Sequence, residues 1–403
     1  MKELILDNEH KVRLVKCLYG RKELAVSDLS AGIQKSVPFT SALINEMVED
    51  GVLIETGLAK SRGGRRAQLY SFKPGVGYIV GVAVNQVYTT ISIVDLNGTP
   101  FFEKRSRNIP LRDGGGNREV LGSFINRYIE ESGVDRSHIL GVGIGMPGFV
   151  NVRKGVNHTF FKDHGTSLIS ALETHLKLPV FIDNDSSLIA LAELKHGLAR
   201  NRNNTLVVNI GWGIGLGIII AHRVFRGENG YAGEFSHIPI FENDKICSCG
   251  KIGCLETETS LNVLLEKART DHRGDHRTIL PQELPEDRTE ALKLIFNAIE
   301  QGDSFAIGLL KYLGQNLGRG LSILIHLFNP GLIVLSGMGS IPGKYWWPPV
   351  QQAINEHSIG KLAENIELKM SKIGPDAELI GATDLVVESL ESLQYKLVNA
   401  SKN

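Results

Sequence analysis

The chain has 403 residues and lacks the features that would place it in a membrane or outside a cell. No apolar run reaches the roughly 18 residues that a membrane-spanning helix requires, and the first residues carry no signal-peptide pattern. A cytoplasmic protein without a membrane partner is expected. Net charge is also absent, with 44 Lys and Arg against 44 Asp and Glu, so bulk charge names no partner. One local absence is more telling. No acid stands between Glu55 and Asp95, while Lys60, Arg62, Arg65, Arg66 and Lys73 all fall in that interval. Residues 1–73 hold 12 basic side chains against 9 acidic ones, a bias suited to a phosphate backbone. The length exceeds one ordinary core and predicts two or three domains.

Cysteine is scarce, yet three of the four, Cys247, Cys249 and Cys254, fall within eight residues, and His237 stands ten residues before the first. Three thiolates and one imidazole complete a tetrahedral zinc set, leaving no coordination position for water. Such a site is structural and would pin a loop that carries Glu234 and Glu256. A disulfide or chance clustering are the alternatives. The odd thiol count and the absent secretory pattern weigh against the disulfide. Cys17, the fourth, has no partner nearby in sequence and reads as a small packing side chain.

The same stretch, Gly233-Glu234-x-x-His237 followed by Cys247-x-Cys249-Gly-x-x-Gly-Cys254-Leu-Glu256, resembles the signature of the ROK family of sugar kinases and sugar-responsive repressors. The chain is similar to the repressor branch of that family, which includes xylose and N-acetylglucosamine repressors. The resemblance implies a two-lobed actin-like, hexokinase-like α/β fold with a sugar or sugar phosphate bound in the cleft between lobes. It assigns Gly148, Asn184, Asp185, Glu234, His237 and Glu256 to the effector. Asp185 matches the base of the kinases.

Ahead of this α/β region, apolar periodicity predicts helices over residues 8–20, 27–33 and 36–51, the second starting at Ser27 and the third capped by Ser36. Two strands follow, residues 52–55 and 68–72, flanking a basic, Gly-rich tip. Three helices and a two-stranded ribbon make a winged helix-turn-helix, whose third helix enters the major groove of double-stranded DNA. Ser36, Thr40, Ser41 and Asn45 on that helix, and Arg62, Arg65 and Arg66 on the wing, are the expected DNA contacts. A helical cap with a solvated basic loop is the alternative. Lys73–Gly77 reads as a linker.

The predicted division is 1–73 for the DNA-binding domain, 74–190 for the first lobe and 191–403 for the second, the last helix (near 381–396) returning to the first lobe as the resemblance implies. The order hairpin, strand, helix, strand, helix, strand occurs twice, a weak duplication of one α/β unit. Where the kinases of the family place Asp-x-Gly-Gly-Thr, this chain has Ala83-Val-Asn85-Gln86-Val87, and their Gly-Thr-Gly is Gly211-Trp212-Gly213 here. The magnesium acid, the paired glycines and both threonines are gone, which points away from ATP chemistry. A sugar-sensing repressor, acting as a homodimer or homotetramer, is therefore expected. An active sugar kinase and a scaffold for a sugar-transport protein are the alternatives.

Overall fold

The computed structural model describes residues 2–59, 66–109, 111, 116–161, 166–271 and 277–400. Contacts divide the chain into one unit of Met1–Leu188 with Leu379–Asn403 and another of Ile189–Glu378.

The first unit opens with four helices, α1 (Lys2–Leu6), α2 (Glu9–Leu18), α3 (Val26–Ile33) and α4 (Val37–Glu49). Three short strands, β1 (Leu24–Ala25), β2 (Leu53–Leu58) and β3 (Gln68–Phe72), pair in the order β1-β3-β2. This is a winged helix-turn-helix. Ser36 caps α4, its hydroxyl accepting from the Phe39 N–H at 3.4 Å, and Pro38 sits in the first turn, where its missing N–H has no cost. The cap of α3 is Ala25 and not the expected Ser27, because the β1 pairing with β3 brings the chain into the helix two residues earlier.

Thr40 departs from expectation more seriously. It is fully buried and donates its hydroxyl to the Ser36 carbonyl at 3.0 Å. Positions 40, 43, 44 and 47 share one face of α4, so Thr40 continues the stripe of Leu43, Ile44 and Met47 and faces the core. Lys11 of α2 is 1% exposed and braces α4, its ammonium 2.8 Å from Glu46, 3.0 Å from Asp7 and 3.2 Å from Asp50.

Strands β4 (Tyr78–Val84), β5 (Thr89–Asp95), β6 (Arg105–Arg107), β7 (Ile139–Met146) and β10 (Val180–Asn184) form a sheet of order β10-β7-β4-β5-β6, with β4–β5–β6 antiparallel and β4–β7–β10 parallel. A small hairpin of β8 (Val150–Asn151) and β9 (Val156–Asn157) follows β7. Alternation along the strands decides what each face covers. Val80, Val82, Val142 and Ile144 pack on α5 (Asn117–Ser132) and α6 (Leu168–Leu176). The opposite face is thinned by glycine. A Cβ on Gly143 would lie 1.8 Å from the Ala382 carbonyl, so only glycine lets α14 (Ala377–Glu388) approach this closely.

The expected single terminal helix is two, α14 and α15 (Leu390–Ala400), separated at Ser389. Their apolar residues Val386, Leu390 and Leu393 enter one buried cluster with Leu14, Leu18, Ile44 and Phe72 of the winged helix and with Ile79 and Leu140 of the sheet. Lys73–Gly77 is accordingly a short turn and not a free linker, since Val76 is buried in the same cluster.

The second unit repeats the plan. Strands β11 (Thr205–Ile210), β12 (Ile214–Ile220), β13 (Arg223–Phe225), β14 (Leu332–Ser336) and β15 (Glu367–Met370) pair in the order β13-β12-β11-β14-β15, antiparallel on one side of β11 and parallel on the other. Its helices are α8 (Glu256–Thr259), α9 (Leu261–Asp271), α10 (Arg288–Glu300), the 25-residue α11 (Ser304–Phe328), α12 (Trp347–His357) and α13 (Gly360–Ala363), while α7 (Asp185–Lys195) enters from the first unit. The matching strand orders carry the duplication that the sequence showed only faintly.

Candidate functional site

The loop between β13 and α8 gathers the four expected metal ligands. The donor atoms of His237, Cys247, Cys249 and Cys254 all lie within 4.8 Å of one another. Local turns bring them there: the Gly250 N–H donates to the Cys247 carbonyl at 2.8 Å, and the Cys247 N–H to the Lys251 carbonyl at 2.8 Å. The Cys249 and Cys254 sulfurs stand 3.7 Å apart, and His237 Nδ1 stands 3.3 Å from the Cys247 sulfur. Two sulfurs on one tetrahedral ion with bonds of about 2.3 Å would be separated by roughly 3.8 Å, so the spacing fits. Burial pushes the Cys254 thiol up to about 12, and its hydrogen-bonded Cys249 and Cys247 neighbours push the same way, so a ligating ion must displace that proton.

Outer contacts join this cluster to the acids. Nε2 of His237 lies 3.7 Å from Glu234, so the ring directs one nitrogen at the cysteines and the other at a carboxylate. This arrangement orients ligating histidines in many metal sites. Glu256 accepts from the Ile214 N–H at 3.2 Å and from the Ser248 hydroxyl at 3.4 Å, bridging the cysteine loop and the β11–β12 turn. A Cβ on Gly213 would fall 2.6 Å from that carboxylate, so any larger residue here would have to displace the Glu256 side chain.

In the first unit, Asn184 ends β10 and Asp185 begins α7. The Asn184 amide oxygen accepts from the Ser186 and Ser187 N–H groups at 2.9 and 3.3 Å, and its nitrogen donates to the Gly148 carbonyl at 3.3 Å. Asp185 accepts from the Ser186 N–H at 2.7 Å and its hydroxyl at 3.1 Å. Three of the expected effector residues, Gly148, Asn184 and Asp185, are thus joined in one strand-end network. The other three, Glu234, His237 and Glu256, belong to the metal loop of the second unit.

Sequence reasoning missed what closes the β4–β5 turn. The Asn85 side-chain oxygen accepts from the Val87 N–H at 2.8 Å and the Tyr88 N–H at 2.9 Å. An Asx-turn is the signal that could have been read from the Asn alone. Trp212, where the kinases of the family have Thr, is a packing residue. Its side chain is 3% exposed, with the Arg288 guanidinium 4.5 Å from the ring centre and Asn262 donating to its carbonyl at 2.6 Å. The indole is packed into its own unit.

On the winged helix, Ser36 and Asn45 are exposed and Ser41 is half-buried. Arg66 is exposed at the base of the wing, whereas Arg62 and Arg65 lie outside the described residues.

The ROK family model matches residues 80–389 of this chain. The protein belongs to the ROK family. Among ROK relatives, the xylose repressor of Caldicellulosiruptor bescii is 27% identical over 391 residues, covering 96% of this chain and 98% of the relative. The glucokinase of Halalkalibacterium halodurans is 30% identical over 264 residues, covering 64% of this chain and 79% of the relative. A crystal structure of a ROK family transcriptional regulator, described as a homologue of the Escherichia coli MLC protein, matches with a TM-score of 0.78 at 25% identity, covering 98% of this chain and 99% of the other. Similarity to the regulators thus runs almost end to end, and that to the glucokinase does not. Among the described residues, no helix is long and apolar enough to cross a membrane.

Proposed function

We propose that this ROK protein is a sugar-responsive transcriptional repressor that binds its sugar or sugar phosphate without phosphorylating it. The end-to-end similarity to the xylose repressor supports DNA binding through the winged helix. Ser36, Ser41 and Asn45 of α4 and the wing arginines Arg62, Arg65 and Arg66 are the contacts, in a homodimer or homotetramer on a two-fold site. The effector is held by hydrogen-bonding groups suited to a polyhydroxylated ligand, namely Asn184, Asp185, Glu234 and Glu256, with Gly148 and His237 completing the set. Zinc on His237, Cys247, Cys249 and Cys254 holds the loop that carries Glu234 and leads into Glu256, in a closed site whose role is structural.

The observation that carries the non-enzymatic reading is the Asn85 turn. Phosphoryl transfer depends on clamping the nucleotide phosphates with backbone N–H groups and a metal-holding acid. Here the Val87 and Tyr88 N–H groups are already taken by the Asn85 side chain, and Ala83 supplies no carboxylate. Asp185 alone is then a base without a phosphate to direct.

The test pairs operator binding with ADP production across one panel of sugars and their 6-phosphates. A sugar that shifts operator affinity without turnover, and less so in Glu234→Ala, is the expected result. Sugar-dependent ADP production that vanishes in Asp185→Ala would overturn it in favour of a kinase.

A further inference from the structure

We propose that α4 selects A·T base pairs, with Asn45 reading adenine and Ala42 and Pro38 lying against thymine methyl groups. The inference rests on α4 being the recognition helix and adds what that helix reads. With Thr40, Leu43, Ile44 and Met47 buried, the opposite side of α4 presents Pro38, Ala42 and Asn45, all exposed, at intervals of four and three residues. They form one ridge running from the first turn, which is the part of a recognition helix that reaches base edges.

The chemistry of that ridge is narrow. Val37–Glu49 contains no Lys and no Arg, so α4 lacks the cationic side chains that make the commonest paired contact to guanine O6 and N7. The nearest preceding cation, Lys35, has its ammonium 5.8 Å from the centre of the Phe39 ring. Of the two acids, Glu46 is tied to Lys11 at 2.8 Å, and Glu49 sits in the last turn, away from the entering end. Asn45 carries both a donor and an acceptor, the pair that matches adenine N7 and N6. Ala42 and Pro38 offer only carbon, which in the major groove meets the thymine C5-methyl, a group no other base of unmodified DNA carries. Val37 and Phe39, 51% and 40% exposed, flank the ridge with further apolar surface.

The full chain would be used to select duplexes from a randomised pool, and the recovered site resynthesised with deoxyuridine in place of single thymidines. Adenine and thymine should dominate the core of each half-site. Removing the methyl that faces Ala42 should weaken binding several-fold, and Ala42→Gly should lose that sensitivity. Asn45→Ala should relax the adenine preference, with a loss of about five- to a hundredfold on the selected site. The deoxyuridine duplexes leave the protein untouched, so their result stands even if the Ala42→Gly helix is weakened. Half-site cores rich in G·C, or full indifference to every methyl, would overturn the proposal while leaving DNA binding intact. A pool that yields no enriched sequence and no retained duplex would instead remove the DNA-binding reading on which the proposal stands.

Discussion

Tyr19, at the end of α2, donates its phenolic hydroxyl to Thr383 of α14 at 3.0 Å, across 364 residues of sequence. The threonine hydroxyl donates in turn to the Ile380 carbonyl at 2.7 Å, so the bond continues into the helix that packs on Gly143. Beside it, Lys16 reaches the Glu388 carbonyl at 3.4 Å and Glu391 at 3.3 Å. Tyr19→Phe removes one hydrogen bond without changing volume and should cost about 1 kcal/mol of unfolding free energy. Urea denaturation checks this. An unchanged midpoint would mean that the bond adds nothing to the joint.

The buried ammonium of Lys11 gives a second prediction. Burial works to lower its pKa, but bonds to Glu46, Asp7 and Asp50 outweigh that and raise it above the ordinary lysine value. Because the folded value is raised, the stabilisation is complete below the unfolded pKa of about 10.4 and is lost only as pH climbs through the higher folded value. Stability should therefore owe no pH dependence to Lys11 between pH 6 and 9 on this account. Lys11→Met leaves three acids close together with their cation gone. Since those acids reach solvent, the cost should be about 1–3 kcal/mol, smaller than for a fully enclosed pair. Its signature would be weaker operator binding as α4 loses its brace, read by fluorescence anisotropy alongside thermal unfolding.

Metal content supplies the third. Protein purified without chelator should carry close to one zinc per chain, and Cys249→Ser or Cys254→Ser should lose it. Elemental analysis gives the count directly. Loss of the ion should also loosen Glu234 and Glu256, because one lies 3.7 Å from a ligating ring and the other accepts from Ser248 between two of the cysteines. Sugar response should fail together with metal content. Zinc-free protein with an intact sugar response would separate the two.

The β4–β5 turn gives a fourth. Asn85→Asp keeps the side-chain acceptor for the Val87 and Tyr88 N–H groups and should leave stability within about 0.5 kcal/mol, whereas Asn85→Ala strips both bonds and should cost about 1–2 kcal/mol. Neither should gain ATP turnover. A gain in Asn85→Ala would show that the side chain alone had been withholding the phosphate site.

How much of this could be read in advance varies with the range of the interactions involved. The ligand cluster was legible because Cys247, Cys249 and Cys254 are neighbours in sequence, and α4 because Ser36, Pro38 and the 43–44–47 stripe are local signals. Thr40 was misread for a physical reason: its hydroxyl suggested a base contact, but a threonine can bury its methyl and satisfy its hydroxyl on the carbonyl four residues back. Helix α1 and strand β1, of five and two residues, are too short to show a period. Nothing local could reveal that Val386, Leu390 and Leu393 complete the core around Leu14 and Leu18, since each reads only as one stripe of an amphipathic helix awaiting a surface.

That shared core orders events during synthesis. The winged helix leaves the ribosome first, yet the apolar side chains that close over it are 364 residues behind, measured from Tyr19 to Thr383. At about 5–20 residues per second, the interval is roughly 20–70 s. A nascent or prematurely terminated chain thus carries α4 on an unfinished core. The core beneath the winged helix is complete only in chains translated through α15, where Val386, Leu390 and Leu393 are all present.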